Sequence, residues 1–153
     1  MTEFQPATVQ ASSAANRPFI GTEYLAQLID MLTQQGITTS QLAQGTGLSA
    51  RVLASPQEFI SPLQYHKVIE NALALSGDPL LGLEHGRRLS ISSHGFLGFA
   101  ILASDTLGQA LSLAIRYART RTLLADIRFL HDHDTAIIQI NRLAAMPSTF
   151  SFV

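Results

Sequence analysis

SHGFLGFAILASDTLGQALSLAIRYART, residues 93–120, decides how this chain folds. Residues 96–103 are apolar almost all round, with Gly95 and Gly98 at their start. A helix without a polar face is normally buried, so the expectation is a buried central helix. Ser104 and Asp105 carry oxygen side chains able to cap a new helix. After them Leu107, Ala110, Leu111, Ala114, Ile115 and Ala118 recur at helical spacing on one face, with Arg116 and Arg119 off that stripe. The stretch therefore predicts a buried helix, a capped turn, and an amphipathic helix folded back over it. The rest of the chain is expected to pack against this pair.

Upstream, residues 1–18 are rich in Ala, Ser, Thr and Gln and read as a disordered lead-in to one domain over residues 19–153. Thr22 is placed to cap a helix whose face carries Tyr24, Leu25, Leu28, Ile29 and Leu32, ended by Gly36. Ser61, Pro62 and Gln64 form a capping box with proline at the first helical position. Behind them Tyr65, Val68, Ile69, Ala72 and Leu73 make the buried stripe, and Ser76-Gly77 ends the helix. Asp78-Pro79 opens a short helix reaching Arg87 or Arg88. Downstream the period changes to two: Ala125, Ile127 and Phe129, then Ala136, Ile138 and Ile140, alternate with polar residues around a His131-Asp-His-Asp turn. That is a β-hairpin. A lone hairpin is marginal, so it should join further strands or pack on the helices. The fold class expected is α+β: a helix-rich N-terminal part around the buried helix, then a hairpin of a small antiparallel sheet.

Composition narrows the function. Charged residues are 14% of the 153, against about a quarter in typical domains, while hydrophobic residues are 46%. A surface so short of charge suggests an interface with a second copy or with another domain. The uncharged end, Met146 to Val153, with its two Phe residues, points to a natural chain that continues. A net charge of −1 argues against a nucleic-acid surface spread over the whole chain. Absence of cysteine removes disulfides and thiolate chemistry, and fits the cytoplasm. No stretch reaches the about 20 apolar residues of a membrane span, and the N-terminus lacks a signal-peptide pattern.

Three patterns invite functional readings. Residues 40–53 resemble a helix-turn-helix, but Pro56 stops the second helix early, and Arg51 is the only cation between Gly36 and Lys67. The His131 to Asp134 run offers at most two nitrogens on one face of a strand, short of a zinc site. No metal and no cofactor is expected. Arg116, Tyr117, Arg119 and Arg121 form the densest basic cluster, open to two readings. One is a solvated face with ion pairs to Asp105 or Asp126. The other is contact with a small anion or partner domain. His94, at the head of the central helix, is a further candidate for orienting a ligand. Chemistry alone therefore nominates Tyr24, His94, Arg116 and Tyr117 for ligand contact. No catalytic constellation stands out, so the chain is not read as an enzyme, although a small helical enzyme stays open as an alternative.

Several of these segments, in this order, resemble the N-terminal regulatory domain of AraC/XylS transcriptional regulators of the arabinose-binding type. They are Tyr24-Leu-Ala-Gln-Leu-Ile with Gly36-Ile, Gly47-Leu-Ser with Val52-Leu, Ile60-Ser-Pro-Leu-Gln-Tyr, Ser76-Gly-Asp-Pro-Leu-Leu-Gly-Leu-Glu-His-Gly, and the opening stretch. The resemblance implies a domain that senses a small-molecule effector and contributes to a homodimer. It also implies a C-terminal unit with two helix-turn-helix motifs, not contained in this sequence, that binds promoter DNA. It transfers no fixed ligand residues. The alternative is a self-contained DNA binder using residues 40–53.

Overall fold

The computed structural model describes residues 16–18, 20–118, 125–132 and 134–142. Of the lead-in expected over residues 1–18, most lies outside them, as do Arg119, Arg121 and the uncharged end.

Two strands, β1 (Ile20–Gly21) and β2 (Phe59–Ile60), pair antiparallel with Ile20 opposite Ile60. Between them lie α1 (Glu23–Gln34), α2 (Thr39–Leu42) and α3 (Ala50–Ala54). After β2 come α4 (Pro62–Ser76), α5 (Leu81–Arg88), a 3-10 turn (Ile91–His94), α6 (Phe96–Leu102), α7 (Leu107–Tyr117) and a hairpin, β3 (Ala125–Asp132) with β4 (Thr135–Arg142). The class is α+β, as expected.

The core belongs to the first half. Leu25, Leu28, Met31 and Leu32 of α1 meet Leu42, Leu53, Ile60, Val68, Ile69, Ala72 and Leu81, all inaccessible or nearly so. The predicted α4 signals hold. Ser61 Oγ accepts from Gln64 N–H at 3.3 Å, Gln64 Oε1 accepts from Ser61 N–H at 3.0 Å, and Gly77 closes the helix in the left-handed conformation.

Thr22 departs from its expected role. It stands at the N-cap of α1 but makes no cap bond. Its hydroxyl donates to the Ser55 carbonyl and accepts from Glu58 N–H at 3.2 Å, pinning the loop before β2 to the head of α1. The reason is the β1–β2 pairing, a contact between distant segments that no local pattern announces.

The second half corrects the largest expectation. The helix at residues 96–103 is not buried: Phe96, Phe99 and Leu102 are 94%, 61% and 60% exposed. Only Gly98 is buried, where α6 lies against the backbone of the 3-10 turn. All-round apolarity predicts burial only when neighbours surround a helix. Among the described residues α6 meets the 3-10 turn on one side and α7 on another. The face with Phe96, Phe99 and Leu102 is uncovered. Among the described residues the buried core gathers around α1 and not around this pair, so α1 is the organising helix.

The α7 cap also moves. Thr106, not Ser104 or Asp105, is the N-cap, its Oγ1 accepting from Gln109 N–H at 3.2 Å. Gln109 Oε1 accepts from Asp105 N–H at 3.1 Å, so the Thr106–Gln109 spacing outcompetes the oxygen side chains before it. The expected stripe is half-buried from Ala110 to Ala118, while Leu107 stays exposed.

The hairpin is longer than its alternation suggested. Its register runs from Ala125 opposite Arg142 to Asp132 opposite Thr135. His131 and Asp132 thus belong to β3 and not to the turn. Among the described residues the sheet gains no third strand, and β3 packs on α7.

Candidate functional site

The helix-turn-helix reading meets a geometric obstacle first. α2 has 4 residues and α3 has 5. Leu42 and Leu53 from these helices sit in the core. The Asn71 amide donates to the carbonyls of Leu42 and Gln44 at 2.9 and 2.7 Å, clamping the segment onto α4. A groove-reading helix must project a side-chain row clear of its own domain, and α3 is too short and too embedded for that.

The four nominated residues fall into two places. Tyr24, on α1, and His94, at the end of the 3-10 turn, come together: the phenol oxygen lies 3.1 Å from His94 Nδ1, and the rings are 5.5 Å apart and tilted at 50°. The imidazole tautomer sets the direction of that hydrogen bond. Two more titratable rings join them. Tyr65, from α4, has its hydroxyl pKa pushed up to about 12, mainly by burial and further by neighbouring Tyr24. His85, from α5, is 3% exposed; burial lowers its pKa, and a hydrogen bond to the Tyr24 backbone offsets part of that effect. Sequence reading missed both. The sequence places Tyr65 in a core stripe and gives His85 no role beyond a position in the helix opened by Asp78-Pro79. This cluster stitches α1, α4, α5 and the 3-10 turn together.

His94 owes its position to two glycines. Gly95 has φ 59° and ψ −135°, a region closed to side-chain-bearing residues, and it turns the chain from the 3-10 turn into α6. At Gly98 a Cβ would run into the Ile91 carbonyl, so only glycine lets α6 approach that turn.

Arg116 and Tyr117 lie elsewhere, at the end of α7. The Arg116 guanidinium carbon is 5.9 Å from the Tyr117 ring centroid. Among the described residues no ion pair joins Arg116 to Asp105 or Asp126; the expected pairs of Arg119 and Arg121 lie outside them. Asp126 instead accepts from Arg128 Nε at 2.9 Å, because the two side chains share one face of β3 two positions apart. Arg116 borders an open groove of about 610 Å³ between α7 and β3, lined by Thr106, Gln109, Ser112, Leu113 and Arg116 with Phe129 opposite. The size falls within the usual range for small-molecule sites. Gln109, Ser112 and Arg116 recur at helical spacing, a signal present in the sequence. Phe129 is brought in by the hairpin and could not be read locally.

Among the described residues no group of three or more His, Cys, Asp or Glu side chains could hold a metal ion. No helix among them is long and apolar enough to cross a membrane.

Comparison with known proteins then adds a lineage. Residues 36–152 match the family described as "Arabinose-binding domain of AraC transcription regulator, N-term". The chain is 33% identical over 124 residues to an ornithine utilization regulator of Pseudomonas aeruginosa, covering 81% of this chain and 36% of that protein. It is 25% identical over 115 residues to uncharacterized HTH-type transcriptional regulators of Mycobacterium bovis and Mycobacterium tuberculosis, covering 74% of this chain and 33% of each. The chain thus spans about a third of the length of these relatives.

Proposed function

This chain belongs to the N-terminal arabinose-binding domain family of AraC transcription regulators, and we propose that it senses a small-molecule effector and passes the signal to a DNA-binding unit elsewhere in the regulator. That family is one of transcription-regulator domains and not of enzymes. The observation that carries the reading is the α7–β3 groove, which is of small-molecule size and lies inside the span matched to the family.

In this reading residues 19–153 form the regulatory unit of a cytoplasmic regulator. The effector meets Arg116 in the groove, and Tyr117 acts through its ring contact with Arg116. Tyr24 and His94 tie the segment that carries α6 and α7 to the α1 core. Effector binding then biases the position of that segment, because a ligand shifts a conformational equilibrium only through its different affinity for the two states. Promoter DNA is contacted by a C-terminal helix-turn-helix unit. The regulator acts as a homodimer, for which the row Phe96, Phe99 and Leu102 is an exposed apolar surface. The absence of a long cationic helix over residues 40–53 supports sensing over direct DNA reading.

A thermal-shift screen of this chain against small carboxylic acids and amino acids tests the proposal. A true ligand raises Tm in step with its concentration, as mass action requires. A flat screen, combined with duplex DNA binding that weakens steeply with salt, would favour the DNA-binder reading instead.

A further inference from the structure

We propose that the α7–β3 groove takes a small monocarboxylate with an uncharged, largely apolar body, its carboxylate held by Arg116. The inference rests on the effector-sensing reading and narrows it to one ligand class at one place.

Charge is the first argument. Among the described residues Arg87 and Arg88 pair with Glu84, and Arg128 pairs with Asp126. Arg116 meets no acid among them; it borders the groove, and its guanidinium carbon lies 5.9 Å from the Tyr117 ring centroid. A guanidinium fork matches a carboxylate in both charge and geometry. One cation in the described lining suits a single negative charge better than the multiple charge of a phosphate.

The second argument is the hydrogen-bond inventory of the wall. Thr106 Oγ1 already accepts from Gln109 N–H, which leaves its O–H to donate. Gln109 Oε1 already accepts from Asp105 N–H, which leaves its amide N–H groups. With the Ser112 hydroxyl and Arg116, the wall is rich in donors and poor in acceptors. No Asp or Glu is among its described lining residues. An ammonium group would find no counter-charge there, so a cationic or zwitterionic amino acid is a poor fit. Leu113 and Phe129 supply the apolar surface for the ligand body.

The test is calorimetric titration of the whole 153-residue chain with straight-chain and aromatic monocarboxylates, hexanoate and phenylacetate among them. Each is paired with its neutral amide, and 6-aminohexanoate and inorganic phosphate complete the set. At least one monocarboxylate should bind, with its amide, the amino acid and phosphate each weaker by about tenfold or more, the scale of a lost charge-assisted contact. Arg116→Gln should cause a similar loss with the unliganded Tm unchanged, and Arg116→Lys should restore part of it. Equal binding of acid and amide, no acid binding at all, tighter binding of phosphate, or affinity indifferent to Arg116→Gln would each overturn the assignment. If a different compound from the wider screen binds wild type and Arg116→Gln alike, the groove assignment fails while the sensing reading stands. If nothing in that screen binds, both fail.

Discussion

The hydroxyl of Tyr24 and Nδ1 of His94 lie 3.1 Å apart across 70 positions of sequence, joining the core helix α1 to the turn that launches α6. Every fully buried large side chain of the described residues lies between Thr22 and Leu81. The described residues from Ile91 onward are therefore attached to a core to which they contribute no fully buried side chain. A hydrogen bond at that seam links the two halves directly.

Tyr24→Phe should cost about 0.5–1.5 kcal/mol, the usual net worth of one hydrogen bond. Urea denaturation of Tyr24→Phe, His94→Ala and the double variant would show a coupling energy of about 0.5 kcal/mol or more. Strictly additive losses would mean that the two side chains do not act on each other.

Gly98→Ala tests how α6 reaches the turn. The new methyl must displace the Ile91 carbonyl, so the variant should lose about 1–3 kcal/mol, as overpacked sites do. Displacing the turn also moves His94, so in this background Tyr24→Phe should cost little more. A thermal melt with wild-type Tm would show that α6 does not lie against the turn.

His85 gives the stability a pH dependence. Burial holds its folded pKa below the ordinary 6.5 of the unfolded chain. The unfolded state then binds the extra proton first as pH falls. The neutral form's stabilising contribution is complete above pH 6.5 and declines below it, at up to about 1.4 kcal/mol per pH unit for one proton. Urea midpoints between pH 7.5 and 5.5 should fall more steeply for wild type than for His85→Gln. Parallel slopes would contradict this.

Leu28→Ala and Phe96→Ala locate the core. Leu28 is fully buried, so its truncation should cost about 2–5 kcal/mol. Phe96 is 94% exposed in the single chain, so at concentrations low enough to keep the chain monomeric its loss should change stability by no more than about 0.5 kcal/mol. Chemical denaturation of both variants reads the difference; equal costs would relocate the core.

What was legible in the sequence was local. The Ser61–Gln64 capping box, the α1 face, the break after Gly77 and the hairpin depend on spacings of four residues or so, and the structure keeps them. What was not legible depends on distant segments meeting. The β1–β2 pairing redirected Thr22 from a cap to a loop anchor. The exposure of Phe96 and Phe99 follows from what surrounds α6, which its own apolarity cannot report. Among the nominated residues, Tyr24 and His94 are neighbours and Arg116 borders a groove. Yet Tyr65 and His85 entered the first cluster, and Phe129 the second, only through tertiary packing.

Sensing at the groove requires a rigid core at residues 20–88 carrying a responsive segment formed by α6, α7 and the β3–β4 hairpin. Native-state amide hydrogen exchange measures this most directly, since elements of unequal stability open with unequal free energies. The prediction is that α1 and α4 amides exchange only through global unfolding, while α6, α7 and the β3–β4 hairpin open at lower free energy as one unit. Equal protection in both halves, with a single opening free energy throughout, would contradict it.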